Sequence, residues 1–302
     1  MEAPSQQNII GAGQFSVVHK LSDKLVRKLP SDPSYVYSVQ ASEIEAKVYQ
    51  RLGRHKRIAR CICCADDHID LRYEPNGNLE SYLADHDPPV SAAGLRDRFA
   101  RQAIEAVIYI HRMNVIHSDL SARQFLVSRS GNLRLSDFGG SSLDGAEAIV
   151  MENATHFLPR DEDSPNTVQS DLFALGSTIY EILVGRKPYD GVDDEEVQRL
   201  YSAQVFPPLE SIGSDFWRNV ILKCWRTEYN SASDIIADLP PCPFATRVFK
   251  KLPLCSSAFK MIRKAGMKRI GKCRQSIGEL FKAVCSSLEL VQRTIKRGSH
   301  PT

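Results

Sequence analysis

The sequence predicts an α+β protein of two lobes, a small mostly-β N-terminal lobe and a larger mostly-α C-terminal one. Three observations carry this. Between Asn8 and about Tyr82, apolar residues alternate in short runs around glycines, the period-two pattern of strands, with one helical stretch among them. From Leu79 to Leu239 the apolar residues recur at a spacing near 3.6, as one face of a helix requires. Between the two, "EPNGN" at 74–78 gathers Pro, Asn and Gly in the manner of a turn or linker.

The elements follow in order. "NIIGAGQFSVVHKLS" (8–22) gives two strand-like runs around glycines, and "DKLVRKLP" (23–30) a third. In that third strand Val26 and Lys28 share one face while Leu25, Arg27 and Leu29 share the other. "SVQASEIEAKVYQRLGRH" (38–55) spaces Ile44, Val48, Tyr49 and Leu52 for a helix and stops it at Gly53. Two more strands are expected near "RCICCADD" (60–67) and "HIDLRYE" (68–74). In the second lobe, "LRDRFARQAIEAVIYIHRM" (95–113), "SDLFALGSTIYEILVG" (170–185) and "DFWRNVILKCW" (215–225) each read as amphipathic helices, with loop and strand material over 117–160. Beyond "DLPPCPF" (238–244) the composition changes, and a helical stripe of Ile277, Leu280, Phe281, Val284, Leu288, Val291 and Ile295 runs beside basic residues.

The totals bound the class. A chain of 302 residues with 42% hydrophobic content can bury a large core. No run of 18 apolar residues and no basic, apolar leader is visible, so no transmembrane segment is expected and the default address is intracellular and cytoplasmic, with nuclear or peripheral-membrane placement left open. Eight cysteines (61, 63, 64, 224, 242, 255, 273, 285) in so long a chain read as reduced, buried thiols rather than a disulfide framework. Cys61 and Cys64 form one CxxC; the alternative, metal binding, lacks a second CxxC or His pair at zinc spacing. The net charge of +3 conceals an asymmetry, with 14 Lys/Arg against 2 Asp/Glu from Pro240 onward and 25 against 34 before it. Such a tail is expected either to pack on the acidic body or to contact anionic lipid or nucleic acid.

Three stretches carry chemistry. "GAGQFSVV" places Gly11, Ala12 and Gly13 on a strand turn, followed by Ser16 and Val18, where glycines let backbone N–H groups approach phosphate oxygens. "HSDLSARQFLV" (117–127) sets Asp119 two places after a His and Gln124 five places further on. "SDFGG" (136–140) supplies Asp137. Between the first and second of these, Lys28 lies on a strand and Glu45 on the helix after it.

This ordered set resembles the eukaryotic protein kinase domain over residues 5–239, with lobes at 5–75 and 76–239 and a basic, partly helical extension at 240–302. The resemblance implies ATP and Mg²⁺ as cofactors. Phosphoryl transfer needs positive charge and positioning more than covalent chemistry. Lys28 is then the point charge on the phosphates, held by Glu45 with Glu43 as the competing partner; Asp119 is the base and Asp137 the metal ligand. Leu71 guards the back of the adenine pocket, Arg72, Tyr73 and Glu74 form the connecting strand, and Val18, Val26 and Leu126 sandwich the ring. Asp171 braces the loop that carries Asp119.

The departures from that pattern bear on activity and control. Gln124 stands where the family has an Asn that binds a second Mg²⁺, offering the same amide oxygen one methylene further out. Ser118 replaces the Arg that in many members receives an activation-loop phosphate, a non-RD pattern that implies independence from such phosphorylation of Ser141, Ser142 or Thr155. Arg160, in "FLPR", replaces the Glu of the family's "APE", and Glu228 is the expected partner for it. Ser121 and Arg123 differ from the common Ser/Thr signature. The expectation is an ATP-dependent kinase acting on a protein hydroxyl, Ser/Thr by family base rate with Tyr or dual specificity open; a nucleotide-binding or scaffolding pseudokinase is the competing class.

Overall fold

The computed structural model describes residues 8–86, 93–161 and 163–239. The basic extension at 240–302, its helical stripe and four of the eight cysteines lie outside these residues.

Strands β1 (Ile9–Ala12), β2 (Ser16–Ser22), β3 (Leu25–Pro30), β4 (Cys61–Cys64) and β5 (Ile69–Arg72) form one antiparallel sheet in the order β1-β2-β3-β5-β4. Lys28 on β3 sits between Val18 of β2 and Ile69 of β5. The alternation of β3 is as the sequence implies: Val26 and Lys28 are buried, and on the other face Arg27 forms a two-pronged bond to Asp70, directly across on β5, at 2.8 and 2.9 Å. Helix α1 (Val36–Leu52) buries Ala41, Glu45, Val48, Tyr49 and Leu52. It ends at Gly53, whose φ of 57° a side chain would resist and whose N–H closes on the Tyr49 carbonyl at 2.9 Å.

The turn expected at 74–78 forms, with the Gly77 N–H 3.2 Å from the Glu74 carbonyl. Beyond it lie helices α2 (Leu79–His86), α3 (Ala93–Arg112), α4 (Val168–Val184), α5 (Asp194–Ser202), α6 (Asp215–Trp225) and α7 (Ala232–Asp238). Two short ribbons sit among them, β6 (Val115–Ile116) with β9 (Ser142–Leu143) and β7 (Phe125–Val127) with β8 (Leu133–Leu135). Together the small sheet and the helical lobe are the α+β, two-lobed arrangement the sequence implies.

Helix α4 departs from the expected amphipathic pattern, for every residue from Ser170 to Ile182 is buried. It is the central helix, with α3 and α6 packed against it, so no face of that stretch remains for water. Its start is fixed by a reciprocal cap between Thr167 and Ser170 and its end by Gly185 at φ 89°. At Gly176 an added methyl carbon would lie 2.6 Å from Cβ of Cys224, so α4 and α6 meet there backbone to side chain. Among the described residues no helix is long and apolar enough to cross a membrane.

The cysteines need a correction. Cys224 is buried as expected, but Cys61 and Cys64 are half-buried and Cys63 is exposed, because β4 is an edge strand of the sheet. Among the described residues, no cluster of three or more His, Cys, Asp or Glu could hold a metal.

Candidate functional site

A cleft between the sheet and the helical lobe holds a cavity of about 350 Å³. It is walled by all twelve residues expected at a nucleotide: Gly11, Ala12, Gly13, Ser16, Val18, Val26, Lys28, Leu71, Arg72, Tyr73, Glu74 and Leu126. Glu45, Gln124 and Asp137 line the same cleft. Ile10, Pro75, Gly77, Asn78, Arg123 and Ser136 complete the wall, and sequence reasoning did not single them out for it. Their place follows from the turn, strands and motifs that carry them. The glycine turn is tight, with the Gly13 N–H 2.8 Å from the Ser16 carbonyl. A methyl carbon at Gly11 or Gly13 would meet nothing closer than 3.7 Å, so the glycines leave open room over the backbone rather than relieve a local clash.

Charge converges at the cleft floor. Lys28 Nζ lies 2.6 Å from Glu45 Oε2 and 2.6 Å from Asp137 Oδ1. Glu43 instead faces solvent beside Lys47 at 3.7 Å, so Glu45 is the partner of Lys28. Burial works to strip the proton from Lys28, yet the Asp137 and Glu45 carboxylates overcome it and hold the ammonium above its ordinary pKa. Burial raises Glu45 despite the nearby ammonium, whereas the Lys28 charge holds Asp137 below the usual carboxylate range. The Lys28 charge outweighs burial at Asp137, whereas burial outweighs it at Glu45. Asp137 adopts a φ of 65°, a left-handed backbone uncommon outside glycine, and the next residue, Phe138, is fully buried against Tyr49 of α1 and His117 with ring centroids 5.3 Å away in each case.

Asp119 and Gln124 form the second half of the site. The Gln124 amide nitrogen donates to Asp119 Oδ2 at 2.5 Å, and a carboxylate accepts only from the NH₂ end, so the Gln124 oxygen points elsewhere. Burial raises the Asp119 carboxyl, with Asp137 adding to the shift and His117, His156 and the Gln124 bond opposing it. The loop holding Asp119 is pinned by the buried Asp171 of α4. Its carboxylate accepts the His117 N–H at 2.8 Å, the Ser118 N–H at 3.0 Å and His111 Nε2 at 2.8 Å. Ser118 takes a φ of 72° under this constraint. The Asp119 N–H donates to His117 Nδ1 at 3.4 Å, leaving His117 Nε2 to donate to the Ser136 carbonyl at 3.0 Å, just before Asp137.

The segment from Asp137 to Arg160 corrects one expectation. Arg160 does not meet Glu228, which is exposed; its guanidinium reaches the buried Glu152 at 2.8 Å and Asn166 Oδ1 at 2.8 Å, over the face of Phe157. A buried carboxylate eight residues away in the same segment is a nearer neutralising partner than one beyond α6. Ser141 and Ser142 are buried, with hydroxyls on the His117 carbonyl at 3.1 Å and the Ala146 carbonyl at 2.5 Å, so they offer no free hydroxyl to a modifying enzyme. Thr155 is half-buried, its hydroxyl on Asn153 and His156. Asn166, unmarked by any sequence pattern, donates to the Ser118 carbonyl at 3.4 Å and the Val150 carbonyl at 3.2 Å.

The chain belongs to the protein tyrosine and serine/threonine kinase family, which matches residues 5–235. CBL-interacting protein kinase 25 of Oryza sativa subsp. japonica is 31% identical over 224 residues, 64% of this chain and 41% of that protein. Mitogen-activated protein kinase kinase kinase 5 of Arabidopsis thaliana is 25% identical over 237 residues, 70% of this chain and 33% of that protein. Serine/threonine-protein kinase PrkC of Bacillus subtilis is 24% identical over 199 residues, 61% of this chain and 30% of that protein. The chain thus spans less than half the length of these relatives. Membership in the family implies, in general terms, the use of ATP and a divalent metal on a protein substrate.

Proposed function

We propose that the chain is an ATP-dependent protein kinase that transfers the γ-phosphoryl group to a Ser or Thr hydroxyl of a protein. The observation that carries this is the single ammonium of Lys28 held at 2.6 Å from both Glu45 and Asp137, in a cleft that Gln124, the partner of Asp119, also lines. The Ser/Thr preference draws on the relatives, among them a named serine/threonine-protein kinase. The four free cysteines among the described residues agree with an intracellular setting.

In this reading Lys28 offers its charge to the α- and β-phosphates while Glu45 keeps it in place. Asp137 and the amide oxygen of Gln124 would hold Mg²⁺, which neutralises charge on the phosphates when bound; two hard oxygens suffice because the nucleotide supplies others. Asp119 Oδ2 is engaged by Gln124, so Oδ1 is the atom that accepts the proton of the attacking hydroxyl. Burial makes that carboxylate more basic than usual, which favours the transfer.

One feature favours the scaffold reading, the spending of the Gln124 amide on Asp119 by a side chain one methylene longer than the family's. Purified protein with Mg²⁺ and labelled ATP separates the two. Transfer to itself or a generic substrate is expected, and Asp119→Asn should abolish it while leaving nucleotide binding intact. Binding with no transfer by the unaltered chain would establish the scaffold instead.

Activity on this reading does not await phosphorylation of the 137–160 segment. Ser118 leaves no Arg to receive a phosphate, and the segment is already tied by Glu152, Asn166 and the Tyr201 hydroxyl, which donates to the Thr155 carbonyl at 3.1 Å. Phosphatase-treated protein and Thr155→Ala should each keep the transfer rate of untreated protein within about twofold, a difference of ~0.4 kcal/mol in barrier. A tenfold fall in both would refute the idea.

A further inference from the structure

We propose that Cys61 and Cys64 form a reversible dithiol–disulfide pair, closed by a low-molecular-weight disulfide of the glutathione type. In a regular strand, residues three apart face opposite sides of the sheet, because side chains alternate with period two. β4 breaks that rule. Its register against β5 shifts between Cys61, opposite Leu71, and Cys63, opposite Asp70, and one extra residue turns the strand over. Cys61 and Cys64 consequently share a face, with their sulfurs 3.2 Å apart, while Ile62 and Cys63 point to solvent.

That separation is contact distance for two sulfurs and about 1.2 Å longer than a disulfide bond. Closing it asks for a side-chain rotation and a small strand adjustment at a sheet edge, not a rearrangement of the core. Both sulfurs are half-buried, so a small reagent reaches them, and no metal cluster among the described residues competes for them. Burial, followed by the neighbouring Cys64 sulfur, pushes the Cys61 thiol up to about 12. Cys61 therefore keeps its proton in the first step.

Cys64, as thiolate, attacks one sulfur of the small disulfide; that S–S bond breaks, and a small thiolate leaves with the bonding pair and takes a proton from solvent. Cys61 then releases its proton to solvent and attacks the Cys64 sulfur of the mixed disulfide, expelling the second small thiolate. Two protein thiols lose two electrons and two protons, and the small disulfide gains them as two thiols. The Cys64 sulfur lies 4.0 Å from the carbonyl of Ala46, the residue after Glu45, so the pair sits against the helix that positions Lys28.

The test uses the full chain in buffers of increasing oxidised-to-reduced glutathione ratio, quenched by alkylation, cut after Arg60 and Arg72 and weighed. Peptide 61–72 is expected to lose two hydrogens and escape alkylation at Cys61 and Cys64, reversibly with dithiothreitol, while the buried Cys224 stays reduced. Cys63→Ser should retain the closure and Cys64→Ser should leave only a mixed disulfide or free thiols. Peptide 61–72 fully alkylated at every ratio, or trapped only as a single glutathione adduct in the unaltered chain, overturns the proposal, as does closure that Cys63→Ser abolishes.

Discussion

At Asp119 burial works against the charged carboxylate. Its folded pKa is raised above the unfolded value, so the native state binds the proton more tightly than the unfolded chain does. Stability contributed by this group is therefore lost as pH rises from the unfolded pKa through the raised folded one. Asp119→Asn removes the charge and retains an oxygen for the Gln124 amide. The variant should melt above the unaltered protein at pH 7, with the gap closing as pH falls through the raised pKa; a variant that melts lower at pH 7 would contradict this. At this scale the sequence was informative about identity and poor on partners. Lys28, Glu45, Asp137, Asp119 and Gln124 could be found because residue type and order survive in one dimension. The pairing of Arg160 with Glu152 could not, since both sit in an irregular segment without periodicity.

Elements were legible in proportion to their length. Helix α6 matches the expected span, and α1 runs two residues further at its start and ends at the expected glycine. The ribbons β6–β9 and β7–β8 have two or three residues per strand, too few to show alternation, and they arise from tertiary pairing alone. The mistaken face of α4 has a related cause. Its Ser170, Asp171, Ser177, Thr178 and Glu181 read as a polar side, but they are buried, with Asp171, Ser177, Thr178 and Glu181 bonded to backbone or side-chain partners that replace water. The contact of α4 with α6 gives a direct test. Gly176→Ala forces a carbon to within 2.6 Å of Cys224 Cβ and should cost about 1–3 kcal/mol in denaturant unfolding, with the same helix content. Unchanged stability would mean that α6 can give way there.

At the scale of the whole molecule, Lys28 is one of several residues through which the two lobes share charge, beside Arg51 with Asp144, Arg57 with Glu105 and Arg134 with Glu74: β3 carries it, α1 supplies Glu45, and the segment beyond the second lobe's ribbons supplies Asp137. Lys28→Met leaves two neighbouring carboxylates without their cation and should cost about 3 kcal/mol of stability. It should also remove most of the nucleotide-induced rise in melting temperature, which for a bound ligand at a hundred times its Kd is worth about 2.7 kcal/mol. A Lys28→Met protein as stable as the original, or equally stabilised by ATP, would show that neither the fold nor the bound nucleotide depends on this ammonium. The two-lobed plan itself was readable because the change from period two to period 3.6 spans tens of residues. The route of the 137–160 segment was not, because it is fixed by Asn166, a residue whose two bonds reach Ser118 on one side and Val150 on the other. That stitch has a consequence for control. A loop fastened by an amide carries no mark that a phosphatase could erase, so on the proposed reading its position is set at folding and not by a later modification.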